Sequence, residues 1–312
     1  MVSGLSFAST RASAGAMPLR HDIWRVGVVP APMAELVGGG AGRLAETIWL
    51  PPEPRDFAFL ADPFGLWQGG RLHLFAEAYD YRDRHGRIDL LILDPDFAVV
   101  ERRAVLREPW HLSYPFLFEA EGARWMLPEA FRSGRLTLYR AAEFPDRWEP
   151  AAEIALDGPA IDATPLFHDG LWWLLYSPST NAAAKVSRLH LAYAERLTGP
   201  WRCHPGNPVR IDRGSARPGG TPLIVDGRLM APMQDCTATY GGAIRPLWID
   251  RLDPDGFVAE AGPPIAAPAR FAPMTEGLHT LSACGPVTLV DAKRTIQSLA
   301  GLGIELGRLI RR

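Results

Sequence analysis

Cysteine is scarce: of 312 residues only Cys203, Cys236 and Cys284 carry thiols. They are far apart, odd in number and lack CxxC spacing, so neither a disulfide framework nor a cysteine metal cluster is expected. No HExxH motif and no clustered Cys/His set occurs, so no metal and no metal-dependent chemistry is expected. There is no P-loop, and no GxGxxG follows a strand into a helix; no nucleotide cofactor is implied. Net charge is only -2, which gives no support for a nucleic-acid partner. No eighteen-residue apolar run exists, so no membrane span is expected. The Ser/Ala/Gly-rich residues 1–20 lack the apolar core of a signal peptide and read as a flexible leader. Cytoplasmic location is the default expectation.

A repeated phrase is abundant instead. Ala61-Asp62-Pro63-Phe64, Ser113-Tyr114-Pro115-Phe116, Asp162-Ala163-Thr164-Pro165-Leu166-Phe167 and Gly219-Gly220-Thr221-Pro222-Leu223-Ile224 follow one another at intervals of about fifty residues. A similar step beyond the fourth lands on His279-Thr280-Leu281-Ser282. Each phrase runs through a polar or Gly-rich turn into a second strand. Short strands at this period form propeller blades. The fold class is therefore all-β: a five-bladed propeller over 21–297 with four-stranded blades, followed by a short C-terminal helix over 298–312. The first blade reads as strands 58–67, 71–78, 88–93 and 97–106. The fifth is short, with strands 280–282 and 286–291. The early strand 23–29 is expected to complete it and so protect an open sheet edge.

Polar groups inside these strands point to chemistry. Asp62 and Asp162 share nearly the same phase in blades one and three, so ring closure brings both to the central axis. Two carboxylates in one pocket can be driven to different pKa values and divide acid and base roles. Glu77 and Glu129 end corresponding second strands, and Gln234-Asp235 falls in the same region of blade four. Buried carboxylates need partners; Arg217 and His111 are candidates, and His279 starts the fifth phrase. Tyr114 and Tyr240 are candidate walls, since sugar recognition uses aromatic faces with dense polar groups. Catalytic candidates are thus Asp62, Asp162 and Glu129. Substrate-binding candidates are Glu77, His111, Tyr114, Arg217, Asp235, Tyr240 and His279.

Residues 57 to about 260 resemble the N-terminal propeller domain of plant glucosamine inositolphosphorylceramide transferases and related bacterial proteins. The resemblance rests on 57–64 (FAFLADPF), on His111-Leu112-Ser113-Tyr114-Pro115-Phe116, on Asp162-Ala163-Thr164, on Asn207-Pro208 and on Tyr240-Gly241-Gly242-Ala243. More distantly the architecture is similar to family 43 glycoside hydrolases. That likeness implies Asp62 as general base and Asp162 as the aspartate that tunes and orients. It also implies a general-acid glutamate in blade four, where this chain has Arg217-Pro218-Gly219-Gly220. The implied ligand is a sugar, sugar phosphate or nucleotide sugar. Three functions remain open: a glycosidase-like enzyme acting at a glycosidic or sugar-phosphate bond, a noncatalytic recognition domain partnering a glycosyltransferase or formyltransferase, and a carboxylate-dependent lyase or cyclase.

Overall fold

A computed structural model describes residues 20–310. The expected leader therefore lies outside the described residues except for Arg20, and so do the last two positions of the expected helix. Five antiparallel sheets form a five-bladed β-propeller. Blade one is Ala58–Gln68, Arg71–Asp80, Arg87–Leu93 and Val99–Leu106, a plain meander. Blade two repeats it with Ser113–Ala120, Ala123–Glu129, Thr137–Glu143 and Arg147–Glu153. In blade three, Ala160–His168 and Leu171–Pro178 lead to Arg188–Ala194. Its outer edge is two short pieces, Arg202–Cys203 and Arg210–Ile211, both paired with that third strand.

Blade four departs from the simple plan at its inner strand, which was expected as one run from 221. It is split into Arg217–Pro218 and Leu223–Val225, both paired with Arg228–Asp235. Gly220 sits between the pieces and bridges to Leu281 of blade five. Its φ is +144°, and a Cβ there would lie 1.7 Å from the Leu281 carbonyl oxygen. The Gly219-Gly220 pair thus serves close backbone approach between blades.

Blade five is longer than its sequence suggests: Gly277–Cys284 pairs with Val287–Gln297. The extra length serves closure. Arg20–Val29 runs antiparallel along the whole of Val287–Gln297, with Ile48–Trp49 outside it. The first strand therefore closes the ring from the other end of the chain.

Packing follows from strand alternation, which gives each blade two apolar faces. Blades one and two meet through Phe64, Phe75, Phe116 and Trp148. Blades five and one meet through Val26, Leu72, Leu74 and Leu289. Comparable clusters fill the other three interfaces. Each large buried side chain contributes roughly 1.5–3 kcal/mol, so the ring is held by its wedges as much as by its sheets. The terminal helix Leu299–Ile310 starts with the Gly301 N–H donating to Ser298 Oγ and docks through Glu305, which pairs with Arg84 at 2.6 Å. Among the described residues no helix is long and apolar enough to cross a membrane.

Candidate functional site

The repeated phrase has a structural cause. The pairing register slips at Ala61/Phe64, Ser113/Phe116, Ile161/Thr164 and Leu278/Thr280. Each slip is a β-bulge that re-aims a side chain toward the axis. Asp62, Tyr114 and Asp162 hold φ of 51°, 42° and 48°, a left-handed conformation that non-glycine residues adopt rarely and mostly under constraint. Gly220 and His279 occupy the matching places in blades four and five.

Interblade bonds impose that constraint. The Asp62 N–H donates to Asp291 Oδ2 at 2.8 Å and the Tyr114 N–H to Asp62 Oδ2 at 3.2 Å. The Asp162 N–H donates to Glu129 Oε2 at 3.2 Å, and the Gly220 N–H to the Tyr114 hydroxyl at 2.8 Å. The same hydroxyl lies 2.9 Å from Thr164 Oγ1.

Above this girdle lies a cavity of about 320 Å³, within the size range of small-ligand sites. Asp62, Glu77, His111, Glu129, Asp162, Arg217, Tyr240 and His279 all line it. Two expected binding residues do not. Tyr114 is fully buried; its ring runs beneath the cavity to the backbone of blade four and is a plug, not a wall. Asp235 points away and bonds Thr237 and Arg245, the latter at 2.8 Å. Gln234, one residue earlier, takes the inward place, because neighbouring residues of a strand face opposite sides.

The inward groups form two linked clusters. In the first, Arg217 Nε and Gln234 Nε2 each donate to Asp162 Oδ2 at 2.7 Å. Arg217 is further held by the Tyr240 hydroxyl at 3.2 Å and the Lys185 carbonyl at 3.3 Å. Burial pushes the Glu129 carboxyl well above its usual range, and the Asp162 charge adds to the rise while Arg217 opposes it. Glu77 is also raised well above its range, first by burial and then by the surrounding carboxylates.

The second cluster is Asp291, His279 and Asp62. His279 Nδ1 lies 2.7 Å from Asp291 Oδ1, and Nε2 lies 3.5 Å from Asp62 Oδ1. Burial opposes a charged imidazole there, but the two carboxylates outweigh it and raise His279. Trp24 stacks on the ring at 3.7 Å. Burial pushes Asp62 up to about 6; the His279 charge restrains that rise and the Asp291 and Asp162 charges add to it. These three side chains place ligand atoms within 4.8 Å of one another and are the set that could hold a cation. Their lone pairs are largely spent on one another and on the backbone: Asp291 also accepts the His279 and Thr280 N–H groups.

His111 differs in kind. Its Nδ1 accepts the Gly86 N–H at 2.8 Å, which leaves the ring proton on Nε2, 3.5 Å from Glu77 Oε1. Burial, then the Arg132 charge, pulls its pKa down to about 4. His111 is therefore a neutral hydrogen-bond donor, with no free lone pair to act as a base.

Asp291, Gln234 and Trp24 were missed from sequence. Asp291 carried a usable signal: it is a lone carboxylate inside the apolar run 287–292, as Glu77 is in 74–78. Trp24 carried none beyond its place in the expected closing strand, because its stacking on His279 depends on the register of that strand.

Fold and site together define a five-bladed propeller with a carboxylate-lined cavity on its axis. Residues 53–264 match the family described as glucosamine inositolphosphorylceramide transferase 1, N-terminal, and the chain belongs to that family. It is 37% identical over 203 residues to the glucosamine inositolphosphorylceramide transferase 1 of Oryza sativa subsp. indica, a match covering 64% of this chain and 27% of the relative. The chain thus spans about a quarter of the length of the curated relatives it matches. The catalytic domain of the Coprinopsis cinerea GH62 alpha-L-arabinofuranosidase has a similar fold, with TM-score 0.56 at 11% identity over 78% of this chain and 94% of that one. A GH43_1 enzyme of Xanthomonas citri gives 0.52 at 16% identity, covering 78% and 88%.

Proposed function

We propose that the axial cavity is the active site of a carbohydrate-active enzyme that cleaves or transfers at a glycosidic or sugar-phosphate bond. The observation that carries this reading is that Asp62 and Glu129 face one axial cavity from different blades, where burial pushes Asp62 up to about 6 and Glu129 well above its usual range. In this reading Asp62 serves as the carboxylate and Glu129 as the proton donor, the division that acid–base chemistry at an acetal needs. Glu129 donates its proton to the leaving oxygen as the anomeric C–O bond breaks. Asp62 removes a proton from the attacking water or hydroxyl, or attacks itself. The Glu129 anion so formed is stabilised by the Arg217 charge. Burial and the Asp162 charge favour the proton on Glu129 until then, so Arg217 acts through its charge on Glu129 and its bond to Asp162 and not as the missing blade-four acid. His111 supplies a donor for a substrate hydroxyl. The curated relatives are glucosamine inositolphosphorylceramide transferases, and the similar folds include a GH62 alpha-L-arabinofuranosidase; both favour a sugar ligand.

One observation favours a second reading, a noncatalytic glycan- or nucleotide-sugar-recognition domain beside a transferase: Asp62 and Glu129 both also tie adjacent blades through backbone N–H groups. Incubation with sugars, sugar phosphates and nucleotide sugars, with products followed by mass spectrometry, separates the two. Turnover that Asp62→Asn abolishes supports the enzyme. Binding without turnover for any member, with or without an added acceptor, supports recognition.

A further inference from the structure

Within the carbohydrate reading above, we infer that Lys185 and Arg132 form an anion subsite on the cavity wall, suited to the phosphate of a phosphorylated sugar or polyol. Sequence alone suggests Arg217 for such a role. The structure removes it: Arg217 is buried and its guanidinium is committed to Asp162, the Tyr240 hydroxyl and the Lys185 carbonyl. Lys293, buried beside Trp24 and Tyr240, is likewise committed to Asp22 at 2.7 Å. Lys185 and Arg132 also line the cavity, yet neither makes an ion pair among the described residues.

They come from different blades. Arg132 lies in the 3₁₀ turn Phe131–Ser133 that follows the Glu129 strand. Lys185 lies in the short helix Ala184–Ser187 inserted after the second strand of blade three. Their head groups converge on one ring: Lys185 Nζ lies 4.0 Å from the Phe131 centroid, and Arg132 Cζ lies 5.8 Å from it. Two unpaired cations brought together from separate loops repel each other unless an anion joins them. Burial lowers the Lys185 pKa, and the Arg217 and Arg132 charges depress it further. Glu129 lies close enough for its charge to be felt by Lys185, but in its protonated form it offers an incoming anion a hydrogen bond instead of repulsion.

A fork and a point charge together suit phosphate. Arg132 alone can satisfy both oxygens of a carboxylate, whereas the third terminal oxygen of a phosphate monoester leaves a place for Lys185. An anion seated there lies beside Glu129, where a phosphoryl group attached to the reacting sugar or to its leaving group would fall.

The test is titration calorimetry of the whole chain at neutral pH and low salt. The probes are glucose 1-phosphate and myo-inositol 1-phosphate, their uncharged parents, glucuronic acid and inorganic phosphate. At least one phosphate ester is expected to bind about tenfold or more tighter than its parent, the size of one charge-assisted contact. Lys185→Gln and Arg132→Gln should each erode that preference, and the double variant should abolish it. Lys185→Arg should retain it. Both side chains reach solvent, so melting temperatures should stay near wild type.

Parent sugars that bind as well as their esters would overturn the subsite and leave the carbohydrate reading standing. Inorganic phosphate binding as tightly as the esters, with no sugar bound, would overturn both. Glucuronic acid matching the phosphate esters would replace the phosphate by a carboxylate and overturn the ligand class. A preference that survives in the double variant, or no binding of any probe at millimolar concentration, would also overturn the subsite.

Discussion

Replacing Arg217 with methionine tests how the acid end of the cavity is built. Arg217 Nε lies 2.7 Å from Asp162 Oδ2, and both side chains are buried. Removing one partner of a buried pair leaves the other charge uncompensated, at a cost of about 3–5 kcal/mol. Here Gln234 keeps one hydrogen bond to the same oxygen, so the low end, about 3 kcal/mol, is expected. For a chain of this size that lowers the melting temperature by about 5 °C. Asp162→Asn added to Arg217→Met removes the stranded charge and should recover most of the stability. Urea unfolding of the wild type, Arg217→Met and the double variant at pH 8 measures this. A loss under about 1 kcal/mol at pH 8, the range of an exposed pair, with no recovery in the double variant, would refute the claim that Asp162 is an anion held by Arg217.

Other outcomes follow from the same geometry. Turnover should fall on the acid side with a midpoint near 6, as Asp62 takes up its proton, and Asp62→Asn should lower it by about 10²–10⁴; a pH–rate profile flat through 6 contradicts the assignment. Glu129→Gln should lose a similar factor on substrates with poor leaving groups and much less on nitrophenyl glycosides, whose leaving oxygen needs little protonation. Gly220→Ala should prevent normal folding, because the new Cβ meets the Leu281 carbonyl; a wild-type melting temperature would contradict the close approach of blades four and five.

Much of this architecture was legible because one local device recurs. Pairing breaks at the same phase of each inner strand, by a bulge in blades one, two, three and five and by a split in blade four, and the phrase at that break marks blade count and strand order. The same device made Asp62 and Asp162 legible as a pair. Legibility failed where a single residue of register decides which face a side chain takes. Gln234 and Asp235 are adjacent, and only the pairing of Gln234 with Arg217 shows which one points inward. Tyr114 shares the phase of Asp62, but its length carries it across the axis to Gly220. The closing strand was readable from the need to cover an edge. The approach of Lys185 to Phe131 was not, since it is set by packing between two loops more than fifty residues apart in sequence.

The most direct test of the central claim is a crystal structure of the Asp62→Asn variant soaked with a sugar or sugar phosphate that the wild-type protein binds. The account predicts a sugar ring in the axial cavity, with the bond to be cleaved between Glu129 and position 62 and a leaving oxygen within about 3.2 Å of the Glu129 carboxyl. Ligand bound elsewhere, with the axial cavity free at saturation, would contradict it.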